Sequence, residues 1–216
     1  MNHEEIVRKV LSSRNAAGAL KSRESNTVEF KESFNKNSTA KYAKTMAAYS
    51  NNRGGYIIFG VKDNPRTIVG LKNENFENMS QEQFSEAINS LFAPAMDWDC
   101  GTLAIEMPAT DGTGTMQSLK IGWIYTAEAE YKPIIAQKPN DGEKINSGDV
   151  YYRYRARSEK IKFAEMSRII EERTAKEREG LLRLFEVIRD NKTANLGIVN
   201  YSNGKISTPY GVDVAF

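Results

Sequence analysis

The stretch Asn51-Asn52-Arg53-Gly54-Gly55, running directly into Tyr56-Ile57-Ile58-Phe59-Gly60-Val61, constrains the fold of this 216-residue chain more than any other. Paired glycines behind a helical pattern form a strong C-terminal stop, because glycine takes the left-handed conformation of a helix end at no steric cost. The apolar run that follows is bounded by glycines and reads as a central strand. Upstream, Ser38 or Thr39 can cap a helix over about 40–50, and Lys41 and Lys44, three apart, share one face of it. Downstream, Asp63-Asn64-Pro65 makes a turn into a short return strand at 67–69.

The other elements follow from periodicity. Residues 4–20 carry Ile6, Val7, Val10 and Leu11 at helical spacing, which predicts a short helix ending near Gly18. Thr27-Val28-Glu29-Phe30-Lys31 alternates apolar and polar side chains, so Val28 and Phe30 face a core while Glu29 and Lys31 share the opposite face. A second helix is expected over 80–92, with Phe84, Ala87, Ile88 and Leu91 as its apolar stripe. Strands are expected at 103–107, 119–125, 132–136 and 150–155, with a Gly- and Thr-rich loop at 110–115. From Ala164 to about Asn191 the pattern is helical, and Gly180 is a candidate break. Strand-like pieces follow at 197–201 and 205–206, and the chain stops on the apolar Val214-Ala215-Phe216, as a longer protein cut here would.

Residue usage removes several chemistries. The one cysteine, Cys100, allows no internal disulfide and no multi-cysteine metal site. The one histidine, His3, lies beside a terminus, so a Ser-His-Asp or Cys-His relay has no positioned imidazole. No apolar run approaches the roughly 20 residues that span a bilayer, and residues 1–20 have no signal-peptide core, which makes the cytoplasm the expected compartment and membrane partners unexpected. The net charge is only +2, but residues 1–60 hold ten Lys and Arg against five acids, and residues 64–137 hold four against ten. A basic face is the footprint of a polyanion binder; charges scattered over a solvated surface are the alternative.

Three carboxylates stand out. Glu29 sits mid-strand, Glu24 precedes it, and Asp63 lies where the central strand runs out. If these strands are neighbours, the carboxylates can converge on Mg²⁺ or Mn²⁺, hard ions that take oxygen ligands and stabilise phosphoryl transition states. Lys31, on the face of Glu29, could neutralise charge on a phosphate. Solvated acids at strand ends are the plainer reading.

The wording of these segments carries a resemblance. Glu24-Ser25-Asn26-Thr27-Val28-Glu29-Phe30-Lys31, a lysine-bearing helix, the Asn51 to Asp63 segment and Ile68-Val69-Gly70 resemble, in this order, the elements of the Schlafen AlbA-type domain. Val150-Tyr151-Tyr152-Arg153-Tyr154-Arg155 resembles a later Tyr- and Arg-containing strand of that family, so the likeness spans roughly 22–160. It implies an α+β fold, a mixed β-sheet flanked by helices, here with a C-terminal helical extension. The expected organisation is an N-terminal helix over 1–20, the domain over 21–163, and the extension over 164–216.

In vertebrate members the domain is a metal-assisted endoribonuclease acting on tRNA and rRNA. The resemblance would place its catalytic and metal-binding carboxylates at Glu24, Glu29 and Asp63, with Lys31 beside them. Many bacterial members are named only as DNA-binding or ATP-binding regulators. One departure is evident, because the family usually has a glycine and small hydroxyl residues after the Tyr-Arg strand, where this chain has Arg155-Ala156-Arg157-Ser158.

Strand alternation puts Tyr151, Arg153, Arg155 and Arg157 on one face, a stripe suited to phosphate contacts and base stacking or, equally, to keeping an exposed strand soluble. Lys36, Lys41, Lys44 and Arg53 add basic side chains from the N-terminal part. Gly54-Gly55 also admits a nucleotide-binding reading, although a helix cap explains both glycines. The expectations are a nucleic-acid-binding domain, RNA before DNA, with metal-dependent cleavage as one form and a non-catalytic or nucleotide-binding regulatory module as the other. Vertebrate members use two such lobes, so a homodimer is expected of a chain with one.

Overall fold

The computed structural model describes residues 2–15, 18–108, 115–190, 198–200, 205–207 and 213–215. The chain divides into two compact units, residues 1–165 and 166–216.

The first unit runs α1 (His3–Ser12), β1 (Val28–Lys31), α2 (Thr39–Ser50), β2 (Gly55–Phe59), β3 (Val61–Lys62), β4 (Thr67–Ile68) and α3 (Gln81–Leu91). It continues with β5 (Phe92–Ala93), β6 (Trp98–Pro108), β7 (Met116–Thr126), β8 (Ile135–Ala136), β9 (Tyr151–Tyr154) and β10 (Arg157–Lys160). Helix α4 (Phe163–Asp190) and the short strands β11 (Ile198–Asn200), β12 (Lys205–Ser207) and β13 (Asp213–Ala215) follow. The fold class is the expected α+β. Among the described residues no helix is long and apolar enough to cross a membrane.

A four-stranded mixed sheet in the order β1-β2-β7-β6 forms the frame. β1 lies parallel to β2, with Glu29 opposite Ile57 and Phe30 opposite Ile58. β2 pairs antiparallel with β7, and β7 with β6 along all eleven residues of each. Every residue of β2 is buried, because both sheet faces are covered. On one face α2 and α3 bring Tyr49, Met46, Phe84 and Ile88 against Ile57, Phe59 and Ile124. On the other, α1 brings Val7 and Leu11 against Phe30, Tyr56, Ile58 and Ile121.

The glycine pair at the end of α2 is structural. Gly54 has φ +72°, and a Cβ there would lie 2.7 Å from the Thr126 carbonyl oxygen. Its N–H donates to Tyr49 O at 2.9 Å, closing the helix end. A Cβ on Gly55 would meet the Tyr49 ring at 2.7 Å. The helix cap therefore accounts for Gly54, and the packing of the Tyr49 ring for Gly55.

Several boundaries differ from the sequence expectation. α1 stops at Ser12, not near Gly18, because the chain doubles back: Arg14 bridges Leu20, and Lys21 N–H donates to Ser13 O at 2.9 Å. β6 and β7 extend well past the expected 103–107 and 119–125, since long hairpin arms keep pairing through their polar ends. The strand expected at 132–136 shrinks to β8, paired with β5. Gly180 does not break α4; a Cβ there would meet nothing within 4 Å, so the glycine sits in a helix at a cost of only about 1 kcal/mol. Of the expected loop at 110–115, residues 110–114 lie outside the described residues, as do Asn191, Gly197, Tyr201 and Phe216.

Candidate phosphate-binding site

Helix α2 and the β9–β10 hairpin border a cleft of about 300 Å³. α2 contributes Lys41, Lys44 and Thr45; the hairpin contributes Arg153, Ala156, Arg157, Ser158 and Glu159; Glu29 and Glu143 complete it. The helical spacing that puts Lys41 and Lys44 on one face is what brings both ammonium groups to this wall.

Arg153 anchors the cleft. Its side chain is 1% exposed, and its Nη1 donates to Glu29 Oε2 at 2.7 Å and to Ser158 Oγ at 3.2 Å. Nε donates to the Ser25 carbonyl at 3.1 Å, and the guanidinium lies over the Tyr49 ring, 5.2 Å from its centroid. Nη2 is buried and has no hydrogen-bond partner among the described residues. Leaving such a donor unmet costs on the order of 1–3 kcal/mol, more for a charged group. Glu29, itself buried, also pairs with Lys31 through Oε1.

The surrounding hydroxyls are locked as donors. Tyr49 donates to Tyr56 O, and burial drives its phenol far above the usual value although Arg153 opposes the shift. Tyr154 donates to Glu165 at 2.7 Å; burial, with that carboxylate, pushes its pKa up to about 12. None of these phenols is a base near neutrality.

The three carboxylates expected to share a metal do not gather. Glu24 Oε1 accepts the Phe30 N–H at 3.1 Å, capping the entry into β1. Both oxygens of Glu29 are taken by Arg153 and Lys31. Asp63 sits on the β3–β4 turn with its side chain 90% exposed, 3.9 Å from Arg66. Among the described residues no group of three His, Cys, Asp or Glu could hold a metal ion. A Mg²⁺ or Mn²⁺ shared by all three therefore does not fit this arrangement: Glu24, ahead of β1, caps a backbone N–H, Glu29 on β1 is charge-paired, and the β3–β4 turn carries the third.

The expected arginine stripe is corrected as well. β9 ends at Tyr154 and the chain turns at Arg155-Ala156, so alternation does not continue to Arg157. Arg153 is buried and Arg157 exposed, and both line the cleft; Arg155 is exposed in the turn with φ +52°, the region glycine adopts freely. Tyr151 is 1% exposed, with its hydroxyl donating to Asp149 at 2.9 Å and Lys44 Nζ 4.8 Å from its ring centroid, so it offers no face for base stacking. Lys36 and Arg53 are exposed but do not line the cleft.

Sequence reasoning missed Ser158 and Glu143 at the cleft and the two asparagines behind it. Asn51, fully buried, donates to the carbonyls of Ile134 and Tyr151 and accepts the Ile134 N–H. Asn52 donates to Arg153 O and accepts from Tyr152 Oη. The available signal was two amides set one residue after the apolar Met46-Ala47-Ala48-Tyr49, where a helix stop alone needs none.

Comparison with known proteins supplies the lineage. The sequence pattern of the family described as Schlafen, AlbA_2 matches residues 24–162. A curated protein of Ureaplasma parvum serovar 3, whose name is uncharacterized ATP-binding protein, is 56% identical over 214 residues; the match covers 98% of this chain and 60% of that protein's length. Among solved structures, the DIP2311 protein of Corynebacterium diphtheriae matches with a TM-score of 0.45 at 17% identity, over 76% of this chain and 27% of that one. The N-terminal domain of a RecG-related protein from Nitrosomonas europaea matches with a TM-score of 0.37 at 20% identity, over 65% and 84%.

Proposed function

This chain belongs to the Schlafen AlbA_2 family, and on that premise we propose that it is a nucleic-acid-binding module whose α2/β9/β10 cleft receives phosphate groups. One observation carries the reading: the cleft gathers Lys41, Lys44 and Arg157 around the buried guanidinium of Arg153. Phosphate oxygens are the natural acceptors, since guanidinium and ammonium groups bind them through charge-assisted hydrogen bonds. Arg157 and Lys41 are exposed and have no ion-pair partner among the described residues, so their charge is available.

The decisive measurement is the salt dependence of binding to single-stranded and hairpin RNA and to DNA. Phosphate contacts release counterions, so affinity should fall steeply with salt. Lys41→Ala and Arg157→Ala should each reduce the slope of log K against log salt by about 1. Affinity that stays flat from low to physiological salt sinks the reading.

A nucleotide is the second reading, supported by the name of the Ureaplasma relative and by a cleft at the small end of ligand-pocket sizes, about 300–1,000 Å³. Calorimetric titration with ATP tests it: heat abolished by Arg157→Ala supports a nucleotide site, and no heat removes it.

A further inference from the structure

We propose that helix α4 pairs with α4 of a second copy of this chain, as an antiparallel two-stranded coiled coil. The proposal is independent of the phosphate reading and rests on α4 alone.

Exposure raises the question. From Ile170 to Val187 every residue of α4 is exposed, and Ile170, Leu181, Leu184, Phe185 and Val187 are each more than half so. Apolar surface left in water forgoes roughly 25 cal/mol for each Å² that could be buried. Large apolar side chains grouped on one exposed helix mark an interaction surface.

Spacing identifies the seam. Ser167, Ile170, Thr174, Glu177, Leu181 and Leu184 follow one another at alternating intervals of three and four, the a and d positions of a heptad repeat. The pairs Arg168–Glu172 and Glu179–Arg183 lie at b, c and f, on the outer side, and Arg173 at g holds Glu177. Glu171 and Arg178, both at e beside the seam, have no ion-pair partner among the described residues.

Charge then decides the partner and its direction. In a parallel pair each d layer meets itself and g meets the following e. Glu177 would face Glu177, and Arg173 would face Arg178. In an antiparallel pair a layers meet d layers, and e meets e. Ile170 then packs on Leu181 of the second copy, and Glu177 lies beside the uncharged Thr174. Glu171 meets Arg178, so the two charges left over along each helix are satisfied by the other. At the g positions Met166 meets Val187, and Arg173 meets Gly180, where no side chain opposes it. Two-fold symmetry makes every one of these contacts twice. No other partner is needed to match the pattern.

The test is sedimentation equilibrium on the full chain, which should show reversible dimers at micromolar concentration. Glu171→Arg and Arg178→Glu should each weaken the dimer about tenfold, because each turns two e–e contacts from attraction to repulsion. Mixing the two variants should restore association, since every e–e contact between the unlike chains is again opposite in charge. Leu181→Lys, a change to another good helix former at an exposed site, should abolish the dimer and leave the circular dichroism spectrum unaltered. Leu182→Lys, at b outside the seam, should leave both unaltered. Equal loss from Leu182→Lys overturns the seam. Strengthening by Arg178→Glu assigns a parallel pair and overturns the antiparallel one. A mass that stays monomeric in the hundreds of micromolar overturns the proposal, and binding of that monomer to phosphatidylserine vesicles would assign the face to a lipid surface instead.

Discussion

Arg153 and Glu29 stand 124 residues apart in the chain and meet at 2.7 Å with both side chains buried. The contact ties the β9–β10 hairpin to the outer strand of the main sheet. It also orients the guanidinium, whose other donors reach Ser25 and Ser158. Removing one partner of a buried pair leaves an uncompensated charge, which costs about 3–5 kcal/mol. Glu29→Ala should destabilise the chain by that amount in urea unfolding. The double variant Glu29→Ala with Arg153→Met should cost less than the two single changes added together, by about 1–3 kcal/mol of coupling. Strict additivity would show that the two residues do not act as a pair.

Gly54 and Gly180 should respond in opposite directions to alanine. At Gly54 the left-handed φ and the Thr126 carbonyl 2.7 Å from a Cβ make Gly54→Ala destabilising by about 1–3 kcal/mol, read as a lower urea midpoint. At Gly180 a Cβ meets nothing within 4 Å and the backbone is helical, so Gly180→Ala should raise helicity by circular dichroism and stabilise α4 by about 1 kcal/mol.

Arg155 occupies a left-handed backbone position at the hairpin turn. A non-glycine residue there carries a strain of about 1–2 kcal/mol. Arg155→Gly should therefore raise the thermal midpoint. Because Arg155 does not line the cleft, the substitution should leave the salt slope of nucleic-acid binding within about 0.3 of the parent value.

Asp149 reports on the hairpin through pH. Burial alone would raise its pKa, but hydrogen bonds from Lys160, the Asn146 N–H and the Tyr151 hydroxyl outweigh that and hold it below the ordinary aspartate value. Its folded pKa is depressed, so its stabilising contribution is present above the unfolded value of about 3.9 and is lost as pH falls through the folded value. Asp149→Asn should cost about 1–2 kcal/mol at pH 7, and the difference from the parent should narrow progressively as pH falls below the unfolded value of about 3.9 in acid unfolding curves. A difference that does not narrow at all as the chain is acidified would contradict the assignment.

The local pattern alone determined much of this protein. Helix-stop glycines followed by a glycine-bounded apolar run specify the α2–β2 unit, because left-handed backbone and strand burial are properties of a few consecutive residues. Lys41 and Lys44 fall on one helix face for the same reason, and the ordered motifs from Glu24 to Gly70 gave the family. Tertiary structure decided what each charge does. Alternation put Glu29 on a face but did not say that Arg153 would cover it. Nor did it show that Glu24 would spend an oxygen on Phe30 N–H or that Asp63 would stay in solvent. Whether a carboxylate binds a metal, caps a backbone or pairs with an arginine depends on neighbours brought in from distant segments. Those neighbours are fixed by sheet register and hairpin docking, and no short window of sequence contains them.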